Sequence, residues 1–175
     1  MKLLISPHND DEALFASFTI LRERPVVLIV YDSWIQYRRG DGITAEQRRQ
    51  ESVRAADILG VEITFCGLSD ERTDPAECLA ALSPFASASQ VWAPAFERQG
   101  NRHHNLVATA AQSIFPVVNK YMTYTERGKS RGVPVPIAPG WILKKIKALA
   151  CYESQIELPQ TRDFFLQDQY EYSSH

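Results

Sequence analysis

Cysteine is scarce in this sequence. Cys66, Cys78 and Cys151 are odd in number, widely spaced and free of any C-x-x-C pair. That pattern excludes a disulfide framework and a thiolate zinc site, and it is what a reducing cytoplasm leads one to expect. Long apolar runs are also missing: nothing approaches the ~18 consecutive apolar residues of a membrane span. The opening "MKLLISPHNDDE" has one lysine and an apolar run too short for a secretory signal. Charge of one sign is not in excess, since 19 Lys and Arg face 21 Asp and Glu, a net charge of -2. No basic footprint for nucleic acid is therefore expected. Repeats and low-complexity tracts are absent. What remains is 45% hydrophobic and 23% charged, an ordinary globular composition. Its 175 residues suffice for a single domain, 1–175, with a full core.

Short apolar runs alternate with helix-like stretches. "KLLIS", "PVVLIVYD", "VEITFCG", "QVWAP" and "KYMTYT" read as five strands. Between and after them, "DEALFASFTILRER", residues 44–59, "PAECLAALSPF", "HHNLVATAAQSIF" and "GWILKKIKALACYESQ" read as helices. Thr44 suits an N-cap and Gly60 a C-terminal stop. The polar, aromatic tail from about 157 onward fits no element clearly. Alternation of this kind predicts an α/β fold, with a mainly parallel sheet and ligands beyond the carboxyl ends of its strands.

One stretch at such an end stands out. "SPHNDDEALF", residues 6–15, runs from the first strand through a histidine, an asparagine and three acids into a helix. His8 and Asp11 are three residues apart and can face one point. Nitrogen plus carboxylate oxygen suits Zn²⁺. The chain has four histidines, and two of them, His103 and His104, adjoin each other just after the fourth strand. If strands one and four are neighbours, one of this pair is the natural third ligand. Asp10 is then left beside the metal, where a carboxylate can act as general base on a metal-activated water. Asp10 and Asp11 also suit a helix start as cap and first-turn acids, which leaves His8 unexplained.

"SPHNDDEALF" resembles the A/P-H-P-D-D-E signature of the PIG-L/LmbE-like family of zinc-dependent N-acetylglucosamine deacetylases. "RRQESVRAADILGV", "FCGLSD", "NRHHNLVA" and "KIKALACYESQ" resemble further segments of that family in the same order. The resemblance implies a Rossmann-like three-layer sandwich that binds zinc through His8, Asp11 and His104. It implies Asp10 as general base. It places Arg48, in the family's R-x-x-E position, against substrate hydroxyls or else on a solvated helix face. Glu12 would cap its own turn, and Tyr152 and Gln155 would anchor the last helix.

The sequence departs from the family at three positions. Asn9 replaces the signature's proline, which is expected to change backbone stiffness alone. Asn101 stands at the first histidine of the family's H-x-D-H loop, and His103 at its aspartate. Asparagine can donate a hydrogen bond to an oxyanion but cannot deliver a proton near neutral pH. Asn101 and His103 are therefore the candidates to steady the oxyanion, and His103 or Asp10 to protonate the leaving amine. Members of the family often run longer, so trimmed loops are expected. Trp34, Tyr37, Arg38 and Arg39 follow strand two on the same edge and would suit a sugar, or simply a surface loop.

The resemblance implies hydrolysis of an N-acetyl group from an N-acetylglucosamine-type sugar or glycoconjugate, with acetate released. The alternative is a repurposed, metal-binding relative that binds a glycan or a protein partner. A phospho-receiver reading would need a lysine at the end of strand five, which "KYMTYTERG" does not supply. Oligomeric state stays open, a homo-oligomer included.

Overall fold

The computed structural model describes residues 1–33, 42–71, 74–123, 132–157, 162, 165 and 171–174. Among these, seven strands form one sheet in the order β3-β2-β1-β4-β5-β7-β6. β1 (Lys2–His8) is an interior strand, paired in parallel with β2 (Val26–Ser33) on one side and β4 (Gln90–Pro94) on the other. β3 (Ile63–Ser69) extends the sheet beyond β2, and β5 (Asn119–Tyr121) extends it beyond β4, both in parallel. Chain order thus reverses at β1, and the loops after β1 and β4 open side by side at the carboxyl edge. The neighbourhood of strands one and four that the metal-site reading requires is present.

β1 and β2 are apolar on both faces because both faces are covered. Leu4, Val27 and Ile29 face a cluster with α1 (Asp11–Phe15), α2 (Ser17–Glu23), α3 (Ala45–Leu59) and α6 (Trp141–Leu149). Leu3, Ile5, Leu28 and Val30 face the opposite layer, with α4 (Pro75–Leu82) and α5 (Arg102–Ile114). This is the expected three-layer α/β sandwich. α3 starts and stops where the sequence signals it: Thr44 Oγ1 accepts from Gln47 N at 3.1 Å, and Gly60 caps the end at φ 73°.

Three expectations need correction. The stretch "DEALFASFTILRER" is not one helix, because it breaks at Ala16 (φ -136°) into α1 and α2. The cause lies far away in sequence. Glu171 Oε2 accepts the Phe18 amide at 2.8 Å, and Lys145 Nζ donates to the Leu14 carbonyl at 2.8 Å. Lys145 and Glu171 are fully buried and pair with each other at 2.6 Å, so one ion pair serves both groups exposed by the break. The polar tail, which fits no element in sequence, supplies β7 (Tyr172–Ser174), antiparallel between β5 and β6 (Val133–Pro134). The last helix likewise divides, into α6 and α7 (Glu153–Ile156). Trp34, Tyr37, Arg38 and Arg39, the candidate sugar-lining residues, lie outside the described residues.

Candidate metal centre

Strand β1 delivers His8 to the carboxyl edge of the sheet, and α1 begins three residues later at Asp11. Between them Asp10 adopts φ 117°, ψ -30°, a conformation that residues with a Cβ rarely take. The turn places His8 and Asp11 on one point. Asp11 Oδ2 accepts from the His8 amide at 2.9 Å and lies 3.1 Å from His8 Nδ1 and 3.0 Å from His104 Nε2. His104 reaches in from the first turn of α5, buried against Phe15.

One ligand atom from each of His8, Asp11 and His104 falls within 4.8 Å of the others. Among the described residues no other group of His, Cys, Asp or Glu is arranged to hold a metal. The Asp11 carboxylate is unevenly engaged. Oδ2 carries three contacts, whereas Oδ1 is buried without a hydrogen-bond partner. Two imidazole nitrogens plus a buried carboxylate oxygen fit a zinc-like ion, so the residues present suit the group that the sequence suggests.

The electrostatics of His8 and the two aspartates diverge. Burial alone would raise the Asp11 carboxyl, yet His104 and His8 beside it hold it well below the usual range. Burial pushes Asp10 well above that range, with Arg48 opposing the shift. The His8 imidazole is depressed by burial, with Asp11 opposing. Two adjacent carboxylates are thus driven apart, one held ionised and one made proton-avid, which is the division an ion ligand and a general base need.

Arg48 is neither on a solvated helix face nor turned outward. It is 1% exposed, donates from Nη2 to the Asn9 carbonyl, and pairs with Asp10 Oδ2 at 3.2 Å. Three residues on, Glu51 accepts from Ser154 N at 2.9 Å and Ser154 Oγ at 2.6 Å, which fixes the start of α7. The R-x-x-E spacing therefore puts one residue against the base and the other against the last helix.

Asn101 is the N-cap of α5, exposed, with Oδ1 accepting from His103 N at 2.8 Å. His103 stacks on Tyr31 at 4.4 Å between ring centroids, and its Nδ1 lies 2.8 Å from His8 Nε2. Burial, then His8 and His104, lowers the His103 imidazole to about 4, so the ring is neutral at pH 7. That suits a group that orients His8 better than one that carries a proton.

Sequence reasoning missed the use made of Asn9. Its Nδ2 donates to Ser52 Oγ at 2.9 Å, so the residue is a tie to α3 as well as a change in stiffness. A signal was available. Arg48, Glu51, Ser52 and Ala55 lie on the buried face of α3, with three polar residues where the helical period calls for apolar ones. Glu12 does cap its own turn, accepting the Asp10 amide at 3.2 Å, while burial pushes its carboxyl up to about 7 against the Tyr152 hydrogen bond. Tyr152 and Gln155 are buried at the α6–α7 junction.

The family model described as PIG-L, GlcNAc-PI de-N-acetylase, matches residues 3–115, from β1 to the end of α5. No curated protein matches the sequence significantly. Several solved structures share the fold. The conserved protein TT1542 from Thermus thermophilus has a TM-score of 0.70 at 18% identity, over 99% of this chain and 93% of its own. GalB, the 4-carboxy-2-hydroxymuconate hydratase from Pseudomonas putida, has a TM-score of 0.69 at 18% identity, over 99% and 95%. The N,N'-diacetylchitobiose deacetylase from Pyrococcus horikoshii has a TM-score of 0.70 at 16% identity, over 98% and 81%. The expected trimming of loops is small against the first two.

Proposed function

This chain belongs to the PIG-L family of de-N-acetylases, and from that premise we propose that it hydrolyses the N-acetyl group of an N-acetylglucosamine-type sugar or glycoconjugate with the help of Zn²⁺. The observation that carries this reading is the His8–Asp11–His104 cluster with a buried, proton-avid Asp10 next to it. Shared fold alone would not choose the reaction, since a hydratase is among the similar structures.

His8, Asp11 and His104 would hold the ion. When bound, Zn²⁺ supplies a Lewis acid that polarises the acetamide carbonyl and acidifies water. Asp10 does the proton work. Its Oδ2 is fixed by Arg48, so Oδ1 takes the proton from the attacking water and gives it to the departing nitrogen. The C–N bond breaks, acetate leaves and a free amine remains. His103 stays neutral and orients His8. Asn101, engaged as a helix cap, contributes the pose of the His103–His104 turn.

Acetate and free amine should appear in equal amounts when N-acetylated sugars, free and glycoside-linked, are offered to the metal-loaded protein. Metal binding with no turnover on any of them would favour a repurposed glycan- or partner-binding relative.

A further inference from the structure

The base of the proposed reaction sits on strained backbone, and strain persists only where the surroundings over-determine it. Here the restraint arrives from beyond the family match. The Asp10 amide donates to Glu12 Oε2 at 3.2 Å. The other oxygen of Glu12 accepts from the Tyr152 hydroxyl. The Ser52 hydroxyl lies beside Tyr152, and Ser52 Oγ accepts from Asn9 Nδ2 at 2.9 Å. Asn9, Asp10 and Glu12 thereby belong to a ring of neighbouring polar groups completed by Ser52 of α3 and Tyr152 at the α6–α7 junction. All five residues are buried, each no more than 6% exposed. Arg48 adds a second tie by holding the Asn9 carbonyl.

We propose that Tyr152 is a positioning residue for the deacetylation, holding Glu12 so that Glu12 fixes the Asp10 peptide at positive φ and aims its carboxylate. The ring consists of buried hydroxyl, amide and carboxylate groups packed side by side, so removing one loosens its neighbours. It also explains why this chain manages without a proline at position 9. The Asn9–Ser52 bond supplies from the side chain the stiffness that a fixed φ would supply from the backbone.

The proposal rests on the deacetylase reading for its kinetic half but not for its structural half. Tyr152→Phe deletes only the hydroxyl, Ser52→Ala cuts the same ring elsewhere, and Thr44→Ala weakens the fold at a distant cap. Amide exchange of the full chain, stripped of metal by chelator, should rise about tenfold or more over residues 9–12 in both ring variants, beyond any rise elsewhere. In Thr44→Ala, residues 9–12 should change no more than the rest of the chain. With metal restored, kcat should fall roughly tenfold or more in the ring variants, with KM within about twofold, because a misaimed base loses transition-state stabilisation only. Exchange over 9–12 that merely follows global stability, or unchanged kcat in either ring variant, overturns the proposal. A wild-type protein that releases no acetate sinks the deacetylase reading instead, and removes with it the reaction for which Tyr152 would position the base.

Discussion

At the residue scale, the proposed reaction gives the two neighbouring aspartates opposite duties. Asp10→Asn should keep the metal and the fold but lose about 10²–10⁴-fold in kcat, the usual range for a general base. Near-wild-type turnover would reduce Asp10 to a helix-start acid. Arg48 changes its expected behaviour once its burial is known. As a substrate contact it would act mainly on KM. Buried against Asp10 and the Asn9 carbonyl, Arg48→Ala should instead lower kcat about tenfold or more and leave KM nearly unchanged. A rise in KM at constant kcat would return it to the substrate. Identity was legible here and partnership was not. Type and spacing point to His8, Asp11 and one histidine of the 103–104 pair as a metal site with Asp10 beside it, and the family resemblance chooses His104. That Asn9 would bond Ser52, or Arg48 turn inward, depends on α3 lying over the turn, which no local pattern states.

At the element scale, the break between α1 and α2 is spanned by the Lys145–Glu171 pair. Its stabilising pair is fully buried, so removing one partner strands the other charge. Lys145→Met should cost about 3–5 kcal/mol in urea unfolding. Lys145→Met combined with Glu171→Leu should recover part of that loss, because no charge is then left unpaired, and a double variant weaker than the single one would contradict this. The continuous apolar period of "DEALFASFTILRER" gave no hint of the break. The residue that takes the Phe18 amide is 153 positions away, and tertiary context overrode a good local pattern. α3 shows the opposite case: its cap and stop are local, and the sequence predicts both ends.

At the scale of the whole molecule, the candidate centre joins the end of β1 to the first turn of α5, two segments almost a hundred residues apart. The order of strands does this, by setting β4 beside β1 at the point where chain order reverses. Alternating patterns were enough to predict a parallel sheet and its functional edge. They could not predict β7, whose three residues take their place by pairing with β5 and β6 rather than by any propensity of their own. An ion bound there should stabilise the native state by mass action, about 2.7 kcal/mol at 100 times its Kd. Zinc should therefore raise the unfolding temperature of the wild type and of His103→Ala, and leave His8→Ala, Asp11→Ala and His104→Ala unmoved. If His103→Ala loses the response while His104→Ala keeps it, the third ligand is the neighbouring histidine.

The most direct test of the metal-assisted deacetylation is one titration. Acetate release from an N-acetylated sugar that the protein accepts is followed as chelator-stripped protein is reloaded with zinc, beside Asp10→Asn treated identically. The expected result is no release from stripped protein, release that rises to a plateau near one ion per chain, and an Asp10→Asn variant that binds the same ion with kcat lower by about 10²-fold or more. Release that survives complete stripping, or an Asp10→Asn variant as fast as the wild type, would contradict it.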